Sequence, residues 1–120
     1  MAIVYEQSGF TIMGRMELLG VNATQAAVTS MRYWIFTTNS TSIVSGPTAL
    51  VVSTVINDTL QTLMWTTDKI GYNFRHDVPA NLVTDPLLRY DFEYEVTPAS
   101  GQIVRFTLEE PLGVIPLKSV

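Results

Sequence analysis

From Tyr72 to Val78 the side chains alternate, with Tyr72, Phe74, His76 and Val78 on one face and Asn73, Arg75 and Asp77 on the other. A period of two marks a half-buried strand, because successive Cβ atoms point to opposite sides of the pleat. The pattern returns from Arg89 to Val96, where Tyr90, Phe92, Tyr94 and Val96 oppose Arg89, Asp91, Glu93 and Glu95. A third run, Gln102 to Leu108, sets Val104, Phe106 and Leu108 against Ile103, Arg105 and Thr107. Between the last two lies Thr97-Pro98-Ala99-Ser100-Gly101. Proline presets φ and glycine accepts a positive φ, so a hairpin is predicted there.

The first half alternates less cleanly and is rich in β-branched residues. Ala26 to Thr38 combines Val28, Thr29, Ile35, Thr37 and Thr38 with Tyr33, Trp34 and Phe36, a composition that favours a pleated backbone over a helix. Ala49 to Ile56 is a continuous apolar run of strand length, which predicts a strand buried on both faces or central in its sheet. Asn57-Asp58 predicts a tight turn into a strand over Thr59 to Thr67, and Asp68-Lys69-Ile70-Gly71 predicts another turn. Asn39-Ser40-Thr41-Ser42, Ser45-Gly46-Pro47 and Asp85-Pro86 carry loop chemistry. Ala2 to Glu6 and Phe10 to Leu19 read as strands broken at Ser8-Gly9 and Gly14; a two-turn helix over Met13 to Leu19 is the weaker option, because glycines flank it and no cap precedes it. The sum is an all-β domain of about seven to nine strands. Three aromatic strands need an opposing apolar sheet, which Ala26 to Thr38 and Ala49 to Ile56 can supply, so the expected architecture is a two-sheet antiparallel β-sandwich.

Composition narrows the function more than the fold. The 120 residues are 47% hydrophobic and 15% charged, and a chain of this size buries about two thirds of its unfolded surface, enough for one core. With no cysteine, disulfides, thiolate metal sites and cysteine nucleophiles are excluded together. The net charge of -4 arises from 7 basic and 11 acidic residues, and the basic ones are scattered, unlike the clustered footprint that phosphate neutralisation requires; no nucleic-acid partner is expected. No basic segment leads into an apolar stretch at the amino terminus, and no apolar run approaches the length of a membrane span, so release into the cytoplasm without a signal peptide and without membrane attachment is expected.

Ionisable groups give little purchase for catalysis. His76 and Asp77 are adjacent on a strand and therefore diverge, so they cannot act as a base and its orienting group; His76 is expected to be structural. The stripe Asp91, Glu93 and Glu95 has a spacing that two-carboxylate chemistry could use, but solvent-facing strand positions produce the same spacing, and a solvated face is the expectation. Asp68 to Asn73 lacks the later ligands and terminal glutamate of a calcium loop, so it reads as a turn. No catalytic residue, metal or cofactor is expected. The better candidates are aromatic. In Tyr33-Trp34-Ile35-Phe36 either both strand faces are buried or one aromatic pair is open to a partner, and Trp34, Phe36, Trp65 and Tyr72 form the candidate ligand or partner surface. The tail from Leu112 reads as a closing edge strand or, with Ile3-Val4-Tyr5, as a segment that docks on a neighbouring subunit.

Two segments carry a resemblance. Trp65 to Phe74, ending at Val78-Pro79, resembles the turn-and-strand phrase of immunoglobulin-like and prealbumin-like domains of bacterial and phage proteins, and Asp85 to Tyr94 is similar to their penultimate strand. The likeness covers about residues 49 to 110 and concerns architecture. It implies that Tyr90 is a corner tyrosine and that Phe92 occupies the position of the antibody cysteine. Such domains serve as spacers, adhesion modules, carbohydrate binders and virion decorations. The expected function is accordingly a non-catalytic structural or assembly module, in its most specific form a small phage-type virion or appendage component, with a protein partner or self-association. The alternative is a module that binds carbohydrate or another small ligand on its aromatics.

Overall fold

A computed structural model describes residues 2–5, 9–38, 41–66, 68–79, 82, 88–107 and 112–115. Eleven strands form among them: β1 (Ala2–Tyr5), β2 (Phe10–Gly14), β3 (Glu17–Leu18), β4 (Val21–Asn22), β5 (Val28–Thr37), β6 (Ile43–Leu50), β7 (Ile56–Gln61), β8 (Tyr72–Val78), β9 (Arg89–Pro98), β10 (Val104–Thr107) and β11 (Leu112–Ile115). The only helix longer than a 3-10 turn, among the described residues, is the single turn α1 (Val52–Val55). The protein is thus all-β, and no helix among the described residues is long or apolar enough to cross a membrane.

The larger sheet runs β1-β11-β9-β5-β6, with β10 also paired to β9; a second sheet is β2-β8-β7, and β3 with β4 makes a two-residue hairpin. Every pair is antiparallel except β1 with β11, which is parallel. The second sheet packs on the inner face of the first. Inward residues of β5 (Met31, Tyr33, Ile35), β9 (Tyr90, Phe92, Tyr94, Val96) and β8 (Phe74, Val78) join Val55 and Ile56 in one core. Its aromatic rings meet across the layers edge to face, Phe74 against Tyr94 at 5.2 Å and Phe10 against Phe92 at 5.6 Å, the geometry that ring quadrupoles prefer. Each such side chain contributes about 1.5–3 kcal/mol by leaving water, so the inward residues of β5, β8 and β9 together stabilise the fold.

β8, β9 and β10 fall where the periodicity places them, although Leu108 at the end of the third run lies outside the described residues, as do Asn39-Ser40 and Asp85-Pro86. The apolar run from Ala49 to Ile56 does not form one strand. β6 ends at Leu50, and α1 carries the chain to the other layer, closed by the Thr54 hydroxyl donating to the Val51 carbonyl at 2.7 Å. Val51 is exposed while Val55 and Ile56 are buried, because the run spans a crossing and serves two layers in turn. The expected turn at Asn57-Asp58 is also absent: both residues sit inside β7, and the Asp58 carboxylate accepts the Gln25 backbone N–H at 2.7 Å instead. The strand expected over Thr59 to Thr67 stops at Gln61.

Ser45-Gly46-Pro47, read as a loop, is part of β6. Two residues of β6, Gly46 and Pro47, stand opposite Trp34 alone, since Tyr33 pairs with Thr48 and Ile35 with Ser45. The bulge keeps the strand paired, and glycine is required in it: Gly46 has φ +104, and a Cβ there would lie 2.6 Å from the Tyr33 carbonyl oxygen. The strand β11 is not the sheet edge either, because β1 lies outside it and pairs with it from Ala2 to Tyr5.

Candidate functional site

The four aromatic candidates do not share a surface. Trp34 and Phe36 lie on the outer face of the large sheet, whereas Trp65 and Tyr72 meet at the end of the small sheet with ring centroids 5.6 Å apart. Tyr72 is buried, Trp65 and Phe36 are half-buried, and Trp34 is only 9% exposed despite its outward position.

The covering of Trp34 has an ionic cause. In the β5–β9 and β9–β10 registers Glu95 stands between Arg32 and Arg105. Its carboxylate accepts from Arg32 Nε at 2.8 Å and from Arg105 Nη2 at 2.7 Å. Both guanidiniums thereby lie against the indole, at 4.9 and 5.2 Å from its centroid, within cation–π range. The Arg32 hydrogen bond, followed by that of Arg105, holds the Glu95 carboxyl below the usual carboxylate range. Part of the acidic stripe is therefore not a solvated face: Glu95 is buried, and Asp91 and Glu93 are half-buried. Strand alternation alone puts Arg32 with Trp34 and Arg105 opposite Phe106; only the register brings them to one carboxylate.

At the end where β8 begins, Asp68 organises the preceding loop. Its Oδ1 accepts from Trp65 Nε1 at 2.9 Å and from the backbone N–H groups of Ile70 and Gly71, and its Oδ2 pairs with Arg15 at 2.9 Å. These donors, the indole foremost, hold the Asp68 carboxyl far below its ordinary range. The sequence from Asp68 to Gly71 is a turn, as its chemistry implies. One residue into β8, buried Asn73 accepts from the Met16 N–H at 2.6 Å and donates to the carbonyls of Met16 and Ala23. This side chain fixes the base of the β3–β4 hairpin. Period-two reading had placed Asn73 on the solvent side, with no sign of that role.

His76 is in the core, 4% exposed, with Nδ1 2.8 Å from the Tyr94 hydroxyl and its ring edge-on to Tyr33 at 4.5 Å. Burial lowers its pKa and raises that of Tyr94 beyond any physiological pH. Asp77 points outward to Thr11 and Arg75, so the two neighbours diverge as the alternation requires. No three His, Asp or Glu side chains among the described residues gather as a metal site.

The exposed apolar residues are distributed unevenly. Of the eleven large exposed ones among the described residues, seven lie on or next to three loops: Leu19 and Val21 on the β3–β4 hairpin, Leu63, Met64 and Ile70 between β7 and β8, and Ile103 and Val104 where the chain enters β10. Arg15, which leads into the first loop, pairs with Asp68 of the second, and Leu18 and Leu19 border a recess with Pro98, Gly101 and Val104 of the third. All three loops thus occupy one end of the molecule. Between the layers there, a cleft of about 310 Å³ is lined mainly by Met16, Leu18, Phe74, Val96, Val104 and Phe106. Leu19 and Met64, at 91% and 79% exposure, are also the only described non-glycine residues at positive φ, 53° and 63°. Comparison with protein-family models, with curated proteins and with solved structures returned no match for this chain.

Proposed function

We propose that this protein is a non-catalytic assembly module that associates with a second copy of itself through its apolar end. The observation that carries the reading is the pair of side chains Leu19 and Met64, strained and exposed together. A side chain in the left-handed region costs about 1–2 kcal/mol, and at such exposure the domain recovers little of that by burial. An apolar knob beside an apolar cleft on the same end suits a two-fold contact, in which the Leu19 hairpin of each copy enters the cleft of the other. The ionisable groups support a structural reading, since His76, Glu95 and Asp68 are each engaged with partners inside the fold. The two packed layers fit an immunoglobulin-like or prealbumin-like sandwich, with buried Tyr90 and Phe92 in keeping with the resemblance. The cysteine-free, threonine-rich strands favour a small virion or appendage component as the setting.

Carbohydrate stacking on the exposed aromatics has less support, because guanidiniums cover Trp34 and Tyr72 is buried. The test is molar mass in solution at micromolar concentration, by light scattering or sedimentation. The wild type is expected at a multiple of 13.3 kDa, and the double variant Leu19→Ser, Met64→Ser at the monomer mass. A wild type that stays monomeric, or an oligomer indifferent to both substitutions, overturns the proposal.

A further inference from the structure

A second recess, remote from the apolar end in its lining, opens between the layers beside β6. It measures about 280 Å³ and is bordered by Tyr33, Thr48, Leu50, Val55, His76 and Pro79. Unlike the apolar cleft, it is bordered by polar side chains, Tyr33 and His76 from the core and Thr48 from β6. The Tyr94 hydroxyl is enclosed in the core, and the one acceptor it meets among the described residues is His76 Nδ1. When the Tyr94 hydroxyl donates to Nδ1, the neutral imidazole carries its own proton on Nε2. Neither Nε2 nor the Tyr33 hydroxyl has a partner among the described residues, although the two side chains are 4% and 3% exposed. No enclosed side-chain nitrogen or oxygen among the described residues is left unpaired, so both atoms open on the recess they line.

We propose that this recess binds a small neutral hydroxylated molecule, of polyol or single-sugar size, through the His76 Nε2–H, the Tyr33 hydroxyl and the Thr48 hydroxyl. The chemistry of the lining selects the class. Nε2–H demands an acceptor, while the two hydroxyls both donate and accept, a combination that a hydroxyl-bearing molecule answers at every position. No Lys or Arg among the described residues lines the recess, so the lining offers no charge to an anion. A cation would face an N–H donor at the floor. The volume lies just below the usual range of ligand sites, ~300–1,000 Å³, which limits the occupant to a small molecule. Ala49, Leu50, Val55 and Pro79 supply an apolar wall for its C–H face.

The chain has one histidine, so the imidazole nitrogen signals of tag-free, ¹⁵N-labelled protein report on this recess without ambiguity. The probes are glycerol and glucose, with sodium acetate as the anionic control. A saturable shift of the Nε2 signal with glycerol or glucose, and none with acetate, is expected. Tyr33→Phe, which removes a hydroxyl without a partner among the described residues, should weaken the binding on the order of tenfold, the equivalent of one hydrogen bond. Thr48→Val, at an exposed position of β6, should weaken it as well. The inference is overturned by the absence of a saturable shift with both hydroxylated probes, by saturation with acetate at lower concentration than either, or by equal affinity in both variants and the wild type.

Discussion

Leu19→Asn separates what the hairpin contributes to the fold from what it contributes to assembly. Leu19 and Gly20 are the two central residues of the β3–β4 turn, at φ 53° and 78°, the combination that a type I′ hairpin requires and that Asn-Gly satisfies best. Asparagine tolerates the left-handed region because its side chain bonds locally, so the substitution relieves most of the ~1–2 kcal/mol that leucine costs there. The apolar contribution forgone is small: with Leu19 91% exposed, only about a tenth of the 1.5–3 kcal/mol of a fully buried leucine is at stake, roughly 0.2 kcal/mol. The net expectation is a monomer more stable by about 1 kcal/mol, with a thermal midpoint higher by roughly 3–6 °C. Urea denaturation with an unchanged slope, at concentrations dilute enough for the monomer, measures it without the contribution of association. Light scattering at higher concentration should show weaker association in the same variant. A variant less stable than the wild type when dilute would refute the reasoning, because it would mean that Leu19 packs within its own domain.

Three further outcomes follow from the geometry. Asn73→Ala leaves the Met16 N–H and two carbonyls without their partner, so a loss of about 2–4 kcal/mol is expected in urea denaturation, together with faster amide exchange at Met16. Gly46→Ala places a methyl 2.6 Å from the Tyr33 carbonyl oxygen at φ +104 and should cost about 3 kcal/mol or more, read as a fall in thermal midpoint. The pKa of His76 is below its unfolded value of 6.5, because burial among Tyr33 and Tyr94 penalises the charged form more than Asp77 favours it. The unfolded chain therefore takes up a proton first, and stability falls as pH drops below 6.5, levelling once the folded imidazole is also protonated. In His76→Phe the decline over that window should be shallower, as followed by denaturant midpoints at successive pH values.

The sequence by itself determined the class of the fold and the identity of its core. Alternation in β8 and β9 named Phe74, Val78, Tyr90, Phe92, Tyr94 and Val96 as inward residues, and all of them are buried, because a period of two can bury only one face of a pleated strand. It also placed His76 and Asp77 on opposite sides. What it could not supply were facts about pairing. A continuous apolar stretch such as Ala49 to Ile56 carries no mark of where the chain leaves one layer for the next. Turn-forming residues such as Asn57-Asp58 and Gly46-Pro47 can equally serve inside a strand when a neighbour uses their side chain or needs their small backbone.

The tertiary structure alone decided which surfaces remain available. Trp34 was legible as an outward aromatic, but its covering by Arg32 and Arg105 depends on the register of three strands around Glu95. Tyr33 and His76 lie 43 residues apart in sequence, and only the packing of one layer on the other brings them to a common recess. Gathering Leu19, Met64 and Val104 at one end likewise requires knowing how three hairpins project from two sheets. Local side-chain chemistry writes the period and the turns into the chain; contacts between residues distant in sequence arise from register and layer packing, which no local pattern encodes.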